Sequence, residues 1–247
     1  MPPDSTLPLS EAVTPYSAIV LGATGNVGRR IVHLLTQNPL CQKVVLVTRR
    51  NTGHFAHPKV FEVVVNMDQI EAELARHSLR VDIALAAFGV GKGSANMPDD
   101  EVRKIEISYP QAFCRAAKAA GATVGGVMTA AGANPKSAMK YARILGEKEK
   151  AVESVNFQFL GLYRPAVILG NSNTPGILNH VMPLLHWAMP SKYHSIHKND
   201  VARAMVAQSE QAFQSIAQGT APHQPALKIL EYKDMKPFFV AGDSAAP

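Results

Sequence analysis

Residues Ile19–Gly28 read IVLGATGNVG, an apolar strand running straight into glycines at 22, 25 and 28. Gly22 allows a tight turn, Gly25 lets the main chain approach a pyrophosphate, and Gly28 lets the next helix pack closely on the strand. The helix beginning near Asn26 turns its first N–H groups and the positive end of its dipole toward the same spot, which makes an anion site. A phosphate group is expected there. The context supports this reading. Val27, Ile31, Val32, Leu34 and Leu35 recur at helical spacing, Pro39 marks the helix end, and Lys43–Val47 (KVVLV) reads as a second buried strand.

Working outward, Val60–Val65 (VFEVVV) predicts a third strand, and Ile70, Leu74 and Leu79 suggest a helix before a fourth strand at Val81–Phe88. That strand exits into GVGKG at Gly89–Gly93, a loop suited to lie close to a ligand. A long helix over Asp99–Ala120, bent near Pro110, ends at Gly121. Strand Thr123–Thr129, helix Ser137–Ser154, strand Phe157–Tyr163, helix Asp200–Gln218 and strand Leu227–Glu231 complete the order. Alternating strands and helices imply an α/β fold with a doubly wound parallel sheet, a Rossmann fold, whose ligands sit at the carboxyl ends of the strands. The pattern dissolves over residues 171–197, which are expected to form a small C-terminal, substrate-facing lobe within a single domain spanning residues 16–247. Residues 1–15, rich in Pro and Ser, read as a disordered arm.

A chain of 247 residues that is 47% hydrophobic can bury a full core. No apolar run reaches the ~18 residues needed to cross a bilayer, and the opening residues lack a signal segment, so no membrane association is expected. Two cysteines, Cys41 and Cys114, make no disulfide framework or metal motif. They read as packing residues in a reducing compartment, the cytoplasm. The net charge of +6 is spread over short clusters, and only 6% of residues are aromatic, so nucleic acid is not an expected partner. His180, His186, His194 and His197 match no metal-ligand spacing, and no metal is expected. Met182, Leu184, Leu185, Trp187 and Met189 suit the apolar wall of the lobe, with His186 or His194 facing a substrate.

The motif order, LGATGNVGR, VTRR, AAFGVGKG, MTAAGAN, YARILGEKE and YRPAVILG, resembles the atypical short-chain dehydrogenase/reductase superfamily, most closely its Tat-interacting-protein branch. That resemblance implies NADP(H) as cofactor, held around Gly22, Thr24, Gly25, Asn26, Val27 and Gly28. It also implies cofactor contacts at Asn66 and Met67 near the adenine, at Ala87 and Gly89 after the fourth strand, and at Pro165. Thr48 stands where an acid would bond the ribose of NAD. Arg49 and Arg50 follow it, and a guanidinium pair matches a 2′-phosphate in charge and geometry.

The family's catalytic set is a serine, a tyrosine and a lysine four residues after the tyrosine. Tyr141 matches the tyrosine, the proton donor when a carbonyl receives hydride. Leu145 stands in the lysine position, which removes the cation that supports the phenol. Lys148 shares the helical face but lies nearly a turn further on. Thr129 and Ala130 replace a Ser–Ser pair and leave one hydroxyl, on Thr129, to orient an oxyanion. Two readings follow: an NADP(H)-dependent oxidoreductase acting on a small carbonyl or alcohol with weakened machinery, or an NADPH-binding regulator or scaffold working through a protein partner.

Overall fold

The computed structural model describes residues 13–90, 97–170, 189–222 and 224–240. Most of the expected arm, residues 171–188 of the expected lobe with His180, Met182, Leu184, Leu185, His186 and Trp187, and Gly91, Lys92 and Gly93 of the glycine loop lie outside them. Within them, Thr14 is tied to the body: its N–H donates to Gln214 Oε1 and its carbonyl accepts from Gln214 Nε2, at 2.9 and 2.7 Å.

Seven strands form one parallel sheet. They are β1 (Tyr16–Leu21), β2 (Cys41–Thr48), β3 (Val60–Val64), β4 (Ile83–Ala86), β5 (Val124–Met128), β6 (Phe159–Tyr163) and a late strand at Ala226–Leu230, in the order β3-β2-β1-β4-β5-β6-late strand. The chain winds outward in both directions from the β1–β4 pair, so the switch point lies between their carboxyl ends. Side chains alternate across the strands and fill two cores. Ala18, Val20, Val44 and Leu46 face one side, where helices α1 (Asn26–Gln37) and α6 (Lys198–Ala217) cover them. Ile19, Leu21, Val45 and Val47 face the other, under α2 (Ile70–Ala75), α4 (Tyr109–Ala119) and α5 (Lys140–Glu153). The central strands are buried on both faces, which explains their near-continuous apolar runs.

The long helix expected over 99–120 is one run with a wider turn inside it. Helix α3 (Asp99–Arg103) passes through a π turn at Lys104–Ser108 into α4. Pro110 has no N–H, and its ring would crowd the carbonyl of residue 106, four positions back. Opening the turn there relieves the crowding, and it re-aims Glu106 toward the body. Two strands escape the sequence reading: β7 (Ile168–Leu169) pairs in parallel with β8 (Ile196–His197). The late strand is therefore β9.

Candidate functional site

The glycine turn folds as the sequence predicts. Gly22 adopts φ +86°, and a Cβ on it would lie 2.4 Å from the Ala87 carbonyl oxygen, so the turn after β1 is pressed against the end of β4. A Cβ on Gly28 would lie 2.0 Å from the Gly22 carbonyl oxygen, which leaves room for glycine alone. Gly25 is different. Its φ of −73° suits any residue, and its nearest neighbour for a Cβ is the Gly22 oxygen at 3.3 Å. Gly25 also caps α1 with no side-chain cap and no acid in the first turn, so the positive end of the helix is uncompensated from within.

Two cavities flank this turn and share Phe88 as a wall. The first, about 220 Å³, is lined by Gly22, Thr24, Arg29, Thr48, Arg49, Arg50 and Met67, among others. Three arginines, Arg29, Arg49 and Arg50, thus border one cavity. Arg29, one turn into α1, is a site residue that reading by charge cluster alone passed over; its Nε donates to the Thr24 carbonyl at 3.0 Å. The Thr48 hydroxyl is buried without a partner among the described residues, a polar atom left over at the cavity wall. Asn66 does not join this wall. Its Oδ1 accepts from the Asp68 N–H at 3.0 Å and caps a short turn, leaving Met67 as the contact from that segment.

The second cavity, about 420 Å³, gathers Gly25, Asn26, Val27, Ala87, Gly89, Thr129, Tyr141, Leu145, Lys148 and Pro165. Helix α5 carries Tyr141, Leu145 and Lys148 along one face, and it is held close to the loop after β5 because Gly146 lets Pro135 approach. A cavity on either side of an uncapped glycine turn suits the two halves of a dinucleotide, with its phosphates at the turn.

The Thr129 hydroxyl is not placed as an oxyanion donor. It donates to Glu149 Oε1 at 2.8 Å, and Glu149 is itself gripped by Arg164 through two bonds of 2.8 and 2.6 Å. A hydroxyl has one proton, and here a carboxylate takes it. His194 packs its ring edge-on against Tyr232, with centroids 5.0 Å apart, and its Nε2 lies 3.0 Å from the Met189 carbonyl oxygen.

Glu106, which carried no sequence motif, lines the second cavity and is 1% exposed. Its Oε1 accepts from the Tyr141 hydroxyl at 3.1 Å and from the Val90 N–H at 2.8 Å. Its Oε2 pairs with Lys148 Nζ at 3.2 Å, and Lys148, also 1% exposed, donates to the Phe88 carbonyl at 2.9 Å. Gly89 is a glycine for a local reason, since a Cβ there would lie 2.7 Å from the Glu106 carboxylate.

Comparison with known proteins agrees with this fold. Residues 18–139 match the model of the NAD dependent epimerase/dehydratase family. The chain is 27% identical over 232 residues to "Protein FMP52-1, mitochondrial" of Scheffersomyces stipitis, covering 89% of this chain and 96% of that one. It is 27% identical over 155 residues to protein HTATIP2 of Rattus norvegicus, covering 62% and 63%. Among solved structures, MoeE5 in complex with UDP-glucuronic acid and NAD superposes with a TM-score of 0.64 at 14% identity, over 87% of this chain and 76% of that one. A further structure of this fold was solved with NADP. The cytoplasmic location expected from the sequence is overturned by these relatives, several of which carry a mitochondrial name. Cysteine use and a missing signal segment distinguish reducing from oxidising compartments, and they do not distinguish the cytoplasm from a reducing organelle.

Proposed function

From the premise that this chain is an NAD(P)-binding Rossmann protein of the atypical short-chain dehydrogenase/reductase superfamily, we propose that it binds NADP(H) in preference to NAD(H). We propose further that it transfers hydride to or from a small carbonyl or alcohol held beside Tyr141. The observation that carries the cofactor preference is the first cavity, where Arg29, Arg49 and Arg50 converge and no acid is present at Thr48. Cationic forks at that edge favour a 2′-phosphate, whereas an acid would favour the free hydroxyl of NAD. When bound, the dinucleotide supplies the hydride chemistry. The protein's own share is to seat the phosphates on the α1 terminus, to keep water from the second cavity, and to hold the Tyr141 phenol for proton transfer.

A second reading, an NADPH-binding regulator or scaffold working through a protein partner, draws support from Leu145. This residue is 3% exposed and puts an apolar wall where the family carries lysine. A mitochondrial compartment is the location the relatives' names favour. Calorimetric titration with both cofactors tests the cofactor claim. Charge-assisted bonds contribute ~1.5–3 kcal/mol each, so NADPH should bind about tenfold or more tighter than NADH. Arg49→Ala with Arg50→Ala should erase the difference while leaving NADH affinity nearly unchanged. Equal affinities in the wild type would remove the claim. Turnover of an aldehyde and alcohol panel by the wild type, lost in Tyr141→Phe, separates the enzyme from the regulator.

A further inference from the structure

The Glu106–Lys148 pair raises a question that stability does not answer. Two charges, each 1% exposed, sit at the wall of a cavity in place of apolar side chains. Taking an ion pair out of water costs more than it usually returns, and apolar substitutes of similar volume are often no less stable. The pair is also specifically aimed. A π turn, a feature frequent at functional sites, delivers Glu106 from the long helix, and two residues of α5 meet it with different chemistry, a phenol on one oxygen and an ammonium on the other.

We propose that Glu106 is the proton partner of Tyr141, and that Lys148, acting through Glu106, supplies the cation that Leu145 withholds from the site. This rests on the reading that Tyr141 serves substrate in the second cavity. The phenol donates its hydrogen bond to the carboxylate, so its proton is aimed at Glu106. In that arrangement the site is set for the oxidation of an alcohol. As the substrate O–H proton passes to the Tyr141 oxygen, the phenol proton passes to Glu106 Oε1. The hydride leaves the carbinol carbon with its electron pair for an oxidised nicotinamide dinucleotide. The products are a carbonyl, the reduced dinucleotide and a neutral Glu106 carboxyl beside the Lys148 ammonium. Carbonyl reduction runs through the same steps in reverse and begins with Glu106 protonated. The groups facing Glu106 are Lys148 and Tyr141 from α5, the Val90 N–H from the loop after β4, and from α4 the buried Cys114 thiol, which feels the Lys148 charge. On its own helix, Arg103 and Lys104 are engaged elsewhere, with Glu147 and Asp68.

The test compares wild type, Tyr141→Phe, Glu106→Gln, Glu106→Asp, Lys148→Met and the double variant Lys148→Met/Leu145→Lys. Dinucleotide binding is followed by calorimetry, and turnover of primary and secondary alcohols with NADP+ is followed across pH. The Tyr141 signal of the free protein is followed by NMR with 13Cζ-labelled tyrosine, assigned by its loss in Tyr141→Phe. Dinucleotide affinity should stay within about twofold of wild type in Glu106→Gln, while alcohol oxidation falls roughly a hundredfold, the size of a lost general acid–base step. The acid limb of the pH profile should vanish with it, and the Tyr141 resonance should move. Glu106→Asp should retain the limb at reduced rate, and Leu145→Lys should recover much of what Lys148→Met loses. A wild type that turns over and depends on Tyr141, with rate, pH limb and resonance unmoved in Glu106→Gln, overturns this inference alone. An inert wild type, or an active Tyr141→Phe, overturns the reading beneath it.

Discussion

Alanine placed at two of the three turn glycines should separate folding from binding. Gly28→Ala puts a methyl 2.0 Å from the Gly22 carbonyl oxygen and 2.7 Å from its carbon, both backbone atoms that cannot swing aside. Helix α1 must lift from β1, and overpacking against fixed atoms costs up to about 3 kcal/mol. For a domain of this size each kcal/mol lowers Tm by roughly 2–4 °C, so a fall of about 6–12 °C is expected. Gly25→Ala should behave otherwise. Its backbone conformation is ordinary and its Cβ meets the Gly22 oxygen at 3.3 Å, a contact relieved by a shift of a few tenths of an ångström. The methyl instead stands where the chain must approach the phosphates, and losing one charge-assisted bond of ~1.5–3 kcal/mol weakens dinucleotide binding about tenfold to a hundredfold. Differential scanning calorimetry of the free proteins, with titration of NADPH into each, reads both numbers. A stable Gly28→Ala, or a Gly25→Ala that melts early yet binds as wild type, would refute the assignment of packing to one glycine and ligand approach to the other.

Two further outcomes concern titrating groups. Burial pushes the Cys41 thiol up to about 11 and the Cys114 thiol up to about 12, so a disulfide reagent at pH 8 should label neither until the protein is unfolded; rapid labelling of the native protein would contradict their packing role. Burial, then the nearby Lys198, Arg203 and Arg30 charges, holds the His197 imidazole below its usual range. The unfolded chain therefore takes up this proton first, so stability is full above about pH 6.5 and declines as pH falls toward the depressed value. His197→Asn, which keeps an acceptor for the Asn199 N–H at the start of α6, should flatten that decline in Tm measured between about pH 7 and pH 5. An unchanged slope would place the acid sensitivity elsewhere.

The parts of the molecule that the sequence declares are those whose physics is local. A strand buried on both faces must be apolar throughout, and a turn at φ +86° against the end of β4 must be glycine, so β1, β2 and the glycine turn can be read within single windows. Arg49 and Arg50 are readable because two adjacent cations follow a strand end. Arg29 has the same chemistry but is one of many basic residues until the fold brings it to the same cavity. The second cavity is different in kind. Tyr141 meets Glu106 across 35 residues and Lys148 meets it across 42, and neither spacing belongs to any helix or hairpin period. Leu145 alone suggests a dismantled site. A sequence-level signal did exist: Pro110 one turn after an acid in a long helix demands a distortion at that acid's carbonyl.

That distortion explains why Lys148 can act from a position that helical geometry alone disqualifies. A cation at 145 would sit one turn beyond Tyr141 and meet the phenol directly, whereas one at 148 sits seven residues, almost two turns, along the same face, ~10 Å in rise. The Lys148 ammonium is also held by the Phe88 carbonyl at 2.9 Å. A carboxylate with one oxygen toward each residue closes the gap, and the π turn is what lets helix 99–119 place it between them. The lysine's shift along α5 and the acid on the facing helix are therefore one arrangement. Lys148 without Glu106 would be a buried unpaired cation, and Glu106 without Lys148 a buried unpaired anion beside a phenol. With Leu145 unchanged, removing either residue alone should therefore cost nearly as much activity as removing both.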